Sequence, residues 1–294
     1  MLKKVAEEQS SNRLAILAEE ISHELFHGKH RSIFHGYSSE FKEYKAYETG
    51  DNLKLVDWKL YGRTDKLFTK HFHDESNLSA FFFIDLSSSM YFPSESKEKI
   101  QKSIQIVAVL CKIFHKQRDK FGLLGISDDV IWESPLSNSK SHLQATYHQL
   151  ETLLGRSSID ERSELPSALA SKILSIGQRK MIFVVSDLLF DNASYDLFLK
   201  SLSEIKANKN TIKILHIWDQ SEHAIENDPN KIMQWKDIET NQVISLHSEE
   251  WNQLQIKQKT QFLEQRINPL LNKGFKYYSL CANESLYELI RQII

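Results

Sequence analysis

The sequence predicts an α/β protein with a doubly wound, mostly parallel sheet. Three observations support this class: short apolar runs of strand length recur from residue 78 onward, amphipathic stretches of helix length separate them, and the two kinds of segment alternate. Such alternation is typical of parallel strands joined by helices that cover both faces of a sheet. The predicted strands are residues 80–84, 122–126, 181–185, 212–218 and 276–280.

The predicted helices between and after these strands carry apolar residues at helical spacing. They cover residues 95–118, 140–154, 165–175, 194–207, 249–271 and 284–293. Residues 220–248 break the alternation with two strand-like runs around a polar turn, which predicts an inserted β-hairpin. We therefore expect one α/β domain over residues 78–294.

Residues 1–77 show a different pattern. A helix is predicted over residues 10–26, where apolar residues recur at helical spacing and Gly28 follows as a stop signal. Beyond it, aromatic and charged residues alternate around a Gly50-Asp51 turn signal, which favours strands and loops. The N-terminal region is therefore predicted to be a helix followed by an extended segment.

Composition and charge narrow the classes of partner. The chain has 37 basic and 39 acidic residues, so it lacks the excess of positive charge that nucleic-acid binders show. Its two cysteines lie in apolar runs and are too few to crosslink 294 residues, which indicates reduced, buried thiols. No apolar run reaches the ~18 residues of a membrane span, and the N-terminus has no continuous signal-peptide core. We expect a cytoplasmic protein with no transmembrane segment.

The stretch HELFH at residues 23–27 matches the H-E-x-x-H signature of zinc peptidases. On a helical wheel, His23 and His27 fall opposite the apolar stripe around Leu14, where no buried carboxylate or carbonyl would orient a zinc ligand. The residues after His27 do not supply a third histidine at the spacing found in one large class of zinc peptidases. We interpret the motif as a solvated helix end, with a zinc peptidase using Glu24 as the alternative. His71 and His73 share one strand face, and a solvent-facing strand is favoured there over a metal site.

A different metal site is indicated by FFFIDLSSSM at residues 81–90. Asp85 ends a buried strand and is followed by Ser87 and Ser89, at the sheet edge where doubly wound folds bind ligands. The alternative is that the two serines cap the helix that starts near residue 94 and that Asp85 is a turn residue.

Two further oxygen-bearing residues are expected at the same edge. Asp187 follows the predicted strand of residues 181–185 after one intervening serine. Ser163 stands just before a predicted helix whose first turn holds Pro166. Together with the first loop they give two carboxylates and three hydroxyls. This hard, oxygen-only set suits Mg²⁺, or Mn²⁺ or Ca²⁺, and does not suit zinc.

The pattern Asp85-x-Ser87-x-Ser89 with Ser163 and Asp187 resembles the metal-ion-dependent adhesion site of von Willebrand factor A domains, which are Rossmann-type. The upstream stretch SSEFKEYKAYETGDNLKLVDWKLYGRTDKLFTKHF resembles the signature of a bacterial domain-of-unknown-function family, number 58, that ends in such a domain. The elements that carry this second resemblance are Glu40-Phe41, Tyr47, Gly50-Asp51, Asp57-Trp58-Lys59, Arg63 and Lys70.

The resemblance implies a non-enzymatic adaptor that binds proteins through a metal. It implies that Ser87 and Ser89 ligate the metal directly, that Asp85, Ser163 and Asp187 complete the site directly or through water, and that a partner's Asp or Glu takes the open position. It also implies work beside a MoxR-type AAA+ ATPase that assembles or remodels client complexes. Ser163 stands where the family usually has threonine, and serine keeps the hydroxyl.

The cluster Asp57-Trp58-Lys59 is assigned a role in folding, because a tryptophan of this size is normally buried. A partner surface is the alternative for this cluster.

The main rival to an adaptor is a Mg²⁺-dependent phosphoryl-transfer or phosphoesterase enzyme that uses Asp85. Such enzymes commonly carry a D-x-D pair, whereas position 87 is serine, and the chain has no G-K-[ST] phosphate loop. A serine hydrolase is disfavoured because the G-x-S-x-G elbow is missing around these serines. The chain is therefore predicted not to be an enzyme.

Overall fold

The computed structural model describes residues 2–27, 41–48, 56–72, 78–93, 95–127, 130–155, 164–223, 232–236 and 243–294. Contacts divide the chain into two units, one formed by residues 1–31 together with 79–294 and the other by residues 32–78. The predicted division at residue 78 differs from this in one respect, because the N-terminal helix belongs to the larger unit.

Helix α1 (Leu2–His27) begins earlier than predicted and ends next to the predicted stop signal. Leu14, Ala18 and Leu25 are buried at helical spacing along it. His23 is exposed, as the helical wheel predicted, and Glu24 beside it is exposed as well. The side chain of His27, like those of His71 and His73, lies outside the described residues.

The smaller unit contains two antiparallel strands, β1 (Phe41–Ala46) and β2 (Phe68–Phe72), which confirm the extended character predicted here. A short helix between them, α2 (Trp58–Thr64), was not predicted. It begins at Asp57, whose Oδ1 accepts hydrogen bonds from the backbone of Lys59 at 3.0 Å and Leu60 at 3.1 Å. Local capping of this kind satisfies the free N–H groups of a first turn and overrides a strand-like pattern.

Trp58 does not have the buried position expected from its size. Its side chain is 61% exposed, and its ring packs edge-on against Tyr61 at 6.2 Å between centroids. The expectation of burial was therefore wrong for Trp58. Asp57 does have a role in folding, because it caps α2 and its Oδ2 also accepts a hydrogen bond from the Tyr44 hydroxyl at 2.9 Å.

The larger unit holds the remaining strands: β3 (Ser79–Asp85), β4 (Lys120–Ile126), β5 (Val130–Glu133), β6 (Met181–Ser186), β7 (Thr211–Trp218), β8 (Ile232–Lys236), β9 (Val243–His247) and β10 (Lys276–Cys281). Strands β8 and β9 pair antiparallel and confirm the predicted hairpin. The other six form one sheet in the order β10-β7-β6-β3-β4-β5. Within it β5 alone runs antiparallel to its neighbour, and this short edge strand was not predicted.

The helices of the larger unit agree with the predicted ones: α3 (Glu98–Lys116), α4 (Lys140–Leu154), α5 (Leu165–Ile176), α6 (Asn192–Ala207), α7 (Ser248–Phe262), α8 (Asn268–Asn272) and α9 (Leu286–Ile293). A π-helical turn, Leu263–Ile267, separates α7 from α8 inside the helix predicted over residues 249–271. The structure thus confirms an α/β protein with a mostly parallel, doubly wound sheet.

Alternate side chains of the central strands build two cores, one on each face of the sheet. Phe82 stacks on Phe183 with 4.7 Å between centroids, and Phe114 of α3 packs edge-on against both. Phe83 points the other way, into a cluster with residues of α5 and α6 that includes Leu169 and Phe198. Burial on both faces explains why these strands appear as continuous apolar runs in the sequence. The two cysteines are free and buried, as expected.

Candidate metal-binding site

The two predicted carboxylates lie at the same edge of the sheet. β3 and β6 are parallel neighbours in register, with Ile84 opposite Val185, and Asp85 and Asp187 stand at their carboxyl ends. Counted along the sheet, the strands have the doubly wound order 3-2-1-4-5-6, and β3 and β6 are strands 1 and 4 of that order. The two aspartates therefore flank the topological switch point, where open α/β sheets bind ligands.

Hydrogen bonds order the loop that follows β3. The backbone N–H of Ser87 donates to Asp85 Oδ1 at 3.1 Å, and the hydroxyl oxygens of Ser87 and Ser89 are 3.2 Å apart. Ser89 lies in a 3₁₀ turn, Ser88–Tyr91. The side chains of Asp85, Ser87 and Ser89 are all buried. Because α3 begins only at Glu98 after Lys97, the two serines do not cap it, and this part of the alternative interpretation was wrong. Asp85 does act as a turn residue, since its Oδ1 accepts from the Ser87 N–H.

The loop after β6 presents Asp187 with both carboxylate oxygens engaged. Its Oδ1 accepts from the Leu189 N–H at 3.3 Å and its Oδ2 from the Lys99 ammonium at 2.9 Å. The Ser89 side chain also helps to lower the pKa of this carboxylate. Leu188, which lies between Asp187 and Leu189 in the chain, has a φ of 58°, a left-handed conformation that is rare for leucine. Such backbone strain concentrates at functional sites.

Ser163, the fifth predicted site residue, lies outside the described residues. The residue that follows it is described: the Glu164 N–H donates to the Ser127 carbonyl oxygen at 2.7 Å. Ser127 directly follows β4, the neighbour of β3 on the other side. Helix α5 then starts with Pro166 in its first turn, as predicted.

Three side chains around the site were not predicted from the sequence. Ser186 donates its hydroxyl hydrogen to Asp85 Oδ2 at 2.7 Å. Lys99 is completely buried and donates to Asp187 and, at 2.5 Å, to Oε1 of Glu222. Glu222 belongs to a 3₁₀ turn, Gln220–His223, that follows β7.

A sequence signal for Lys99 does exist. It shares one helical face with Ser103, Ile106 and Leu110, which are all buried. A lysine on the apolar stripe of a helix requires an internal partner, because burying an unpaired charge is costly. The identity of that partner depends on contacts across 88 and 123 residues, which no local pattern encodes.

The pKa values of the two aspartates shift in opposite directions because their surroundings differ. Burial, together with the charge of Asp187, raises the pKa of Asp85 to about 6. Burial also acts to raise the pKa of Asp187, but the ammonium of Lys99 outweighs it and holds that pKa below its usual value. Burial acts to lower the pKa of Lys99, and Asp187 and Glu222 more than reverse this. The edge therefore concentrates negative charge, which Lys99 neutralises in part.

These donors fit a small divalent cation. Asp85, Ser87, Ser89 and Asp187 offer carboxylate and hydroxyl oxygens, which are hard ligands of the kind Mg²⁺ prefers. Like charges at Asp85 and Asp187 would be relieved by a cation between the two loops. Within the described ranges, no group of three or more His, Cys, Asp or Glu is placed to hold a metal ion, so the hydroxyls are essential to this candidate site.

None of the helices in the described part of the chain combines the length and the apolar character needed to cross a membrane.

The strand order, the antiparallel edge strand and the D-x-S-x-S loop at the switch point define a von Willebrand factor A-like α/β domain. The family described as "Protein of unknown function DUF58" matches residues 43–266, which is more than half of the chain. The chain belongs to this family.

Curated relatives include the uncharacterized proteins Rv1480 of Mycobacterium tuberculosis and Mb1516 of Mycobacterium bovis. Each is 21% identical over 165 residues, which covers 56% of this chain and 52% of the relative. The chain thus spans about half the length of the curated relatives it matches.

Solved structures with a similar fold include an aerotolerance-related membrane protein of Bacteroides fragilis, with 12% identity, a TM-score of 0.41, and coverage of 74% of this chain and 96% of that one. A von Willebrand factor type A protein of Catenulispora acidiphila has 15% identity, a TM-score of 0.34, and coverage of 51% and 34%. The pilus adhesin SpaC of Lactobacillus rhamnosus has 12% identity, a TM-score of 0.37, and coverage of 75% and 29%. At these scores the similarity concerns the fold only.

Proposed function

We propose that this chain is a non-enzymatic adaptor that binds a protein partner through a divalent cation. In this proposal Ser87 and Ser89 ligate Mg²⁺, or Mn²⁺ or Ca²⁺, and Asp85, Ser163 and Asp187 complete the site directly or through water. The observation that carries the proposal is the meeting of two carboxylates and two neighbouring hydroxyls at the switch point of the sheet.

The partner is proposed to present an Asp or Glu side chain to the metal. A carboxylate that replaces a metal-bound water makes binding depend on the cation, and such exchange favours reversible association. By resemblance to its family, the chain is proposed to act in the cytoplasm beside a MoxR-type AAA+ ATPase, in assembly or remodelling of client complexes. The formal net charge of −2 supports a protein partner over a nucleic acid.

The first experiment is thermal unfolding of the chelated protein, titrated with Mg²⁺, Mn²⁺ and Zn²⁺. Wild type, Asp85→Ala and His23→Ala are compared. A ligand at a hundredfold excess over its Kd adds about 2.7 kcal/mol to stability, so Mg²⁺ or Mn²⁺ should raise the Tm of wild type and His23→Ala and leave Asp85→Ala unchanged. Stabilisation by zinc alone, lost in His23→Ala, would overturn the proposal in favour of the HELFH site.

A Mg²⁺-dependent phosphoryl-transfer enzyme is the second candidate, and the buried lysine at the site favours it. Two observations weigh against Asp85 as its nucleophile: both carboxylate oxygens accept hydrogen bonds, and burial raises the pKa of this group to about 6. Incubation with p-nitrophenyl phosphate and Mg²⁺ separates the two functions. The adaptor proposal expects no turnover, whereas turnover that Asp85→Ala abolishes would establish the enzyme.

A further inference from the structure

Lys99 is a buried cation that joins two loops at the edge of the sheet. Its side chain is 0% exposed, and its ammonium contacts the carboxylates of Asp187 and Glu222, which are 3% and 21% exposed. The two acidic residues follow different strands, β6 and β7, while Lys99 lies in the first turn of α3. A fixed positive charge therefore stands beside one carboxylate of the candidate metal site.

In this arrangement Lys99 competes with a divalent cation for the Asp187 carboxylate. Asp187 Oδ2 accepts a hydrogen bond from the Lys99 ammonium at 2.9 Å. A metal ion bound to Asp187 must therefore share that carboxylate with the positive charge of Lys99. Like charges in a water-poor environment repel more strongly than in solvent. The ammonium thus lowers the affinity for the metal unless its charge shifts toward another acceptor.

The turn after β7 supplies that acceptor. Glu222 Oε1 already holds the ammonium, and Glu222 Oε2 accepts from the Asp219 N–H at 3.0 Å, which fixes the orientation of the carboxylate. Asp219 adds a second carboxylate to the same turn. Its Oδ1 accepts from the Ser221 N–H at 2.9 Å, whereas its Oδ2 is buried without a hydrogen-bond partner among the described residues. Negative charge in this turn exceeds what its own hydrogen bonds satisfy.

We propose that Lys99 is the resident counter-cation of the candidate metal site, which it shares with the divalent ion: it neutralises Asp187 when the metal is absent and pairs with the Glu222 turn when the metal binds. Lys99 then sets the metal affinity, and metal binding changes the contacts of the turn after β7. This inference rests on the proposed function, because it requires the metal site.

The test measures Mg²⁺ and Mn²⁺ binding by isothermal titration calorimetry in wild type, Lys99→Met, Glu222→Gln and the double variant. We expect Lys99→Met to bind the metal at least tenfold more tightly, because the competing charge is gone. Glu222→Gln should bind several-fold more weakly, because Lys99 keeps only Asp187. In the double variant the effect of Glu222→Gln should shrink, since Glu222 acts through Lys99.

Lys213→Met is the matched control. Lys213 is a second buried lysine, whose ammonium donates to the Ile293 carbonyl oxygen at 2.5 Å, at the other end of its strand from the site. Its replacement should change stability and leave the metal affinity unchanged.

Unchanged or weaker metal binding in Lys99→Met, with wild type binding normally, would overturn the inference and leave the proposed site standing. Absence of binding in every variant would overturn both. Binding in Lys99→Met alone would also overturn the inference, because a lysine that excludes the metal does not share the site with it. If Lys99→Met does not fold, Glu222→Gln decides, and an unchanged Kd there would overturn the inference.

Discussion

The Ser186 hydroxyl donates a hydrogen bond of 2.7 Å to Asp85 Oδ2 and so joins the ends of the two central strands. The hydroxyl oxygen of Ser186 also accepts a hydrogen bond from the Leu188 N–H at 2.9 Å, which connects the strained loop after β6 to Asp85. One buried serine thereby positions the first aspartate and shapes the loop that carries the second.

Replacement of Ser186 by alanine should weaken both the fold and the site. A buried carboxylate oxygen and an N–H lose their partner together, and each such loss costs about 1–3 kcal/mol. We expect a lower urea midpoint and a weaker response of the Tm to Mg²⁺. Ser201→Ala is the control, because that buried serine donates to the Leu197 carbonyl oxygen of its own helix. A metal response equal to that of wild type would show that Ser186 does not position Asp85.

Asp85→Asn should stabilise the metal-free protein while removing its response to metal. Burial and the charge of Asp187 raise the pKa of Asp85 to about 6, so ionisation of this group costs more free energy in the folded state than in the unfolded chain. Relief of about 1 kcal/mol would raise the Tm in chelator by about 2–4 °C. Differential scanning calorimetry with EDTA and with Mg²⁺ measures both effects.

The control for Asp85→Asn is Asp191→Asn, which replaces the exposed N-cap residue of α6. Asparagine caps helices as well as aspartate does, so this variant should keep the metal response of wild type and lose little stability. A metal response that persists in Asp85→Asn would contradict the assignment of this residue to the site.

Lys99→Met should lower the stability of the metal-free protein. It removes the cation that neutralises Asp187 and leaves that buried carboxylate uncompensated, and breaking a buried ion pair in this way costs about 3–5 kcal/mol. Urea unfolding in EDTA measures the loss. The double variant Lys99→Met with Asp187→Asn should recover part of it, because Asp187 then carries no buried charge and Glu222, which also loses its partner, is partly exposed. A double variant as unstable as Lys99→Met would contradict this explanation.

Glu19 of α1 gives the larger unit a predictable dependence on pH. Hydrogen bonds from Lys112 and Lys116 of α3 lower the pKa of Glu19 from 4.5 to about 2. A lowered pKa means that Glu19 contributes its full stability above pH 4.5 and loses it as the pH falls through about 2. Because the side chain is half exposed, the contribution is about 0.5–1 kcal/mol.

Urea unfolding of wild type and Glu19→Gln at pH 7 and at pH 2 tests this dependence. Wild type should be the more stable protein at pH 7, and the difference should shrink at pH 2. A difference that is the same at both values would show that the ion pairs with Lys112 and Lys116 do not hold α1.

In the smaller unit, Asp57→Ala and Trp58→Ala should differ in effect. Asp57 caps α2 and accepts from the Tyr44 hydroxyl, so its loss should cost about 1–2 kcal/mol. Trp58 is largely exposed, so its loss should cost under about 1 kcal/mol. Hydrogen exchange at the amides of residues 58–64 reports both changes. A larger loss of protection in Trp58→Ala would mean that the tryptophan is required for the helix.

The strands of the large sheet could be predicted because burial on both faces leaves continuous apolar runs in the sequence. Asp85 and Asp187 could be predicted because each ends such a run, and parallel neighbours bring these ends together. Helix α2 was missed since one capping aspartate decides it, and β5 since four residues at an edge carry little signal.

The surroundings of the site are a different matter. Ser186 and Lys99 act through partners 101 and 88 residues away, and no local pattern specifies such pairs. Tertiary contacts determine them, so they become visible only once the strands are placed.

Helix α1 is synthesised before the helices that bury it. Its apolar stripe at Leu14, Ala18 and Leu25 packs against α3 and α4, yet the whole smaller unit and β3 lie between these segments in the chain. During translation the stripe lacks these packing partners until residue 116, the end of α3, has left the ribosome. Chaperones that shield nascent apolar segments therefore have a binding site in α1 (Leu2–His27) until α3 is available to cover it.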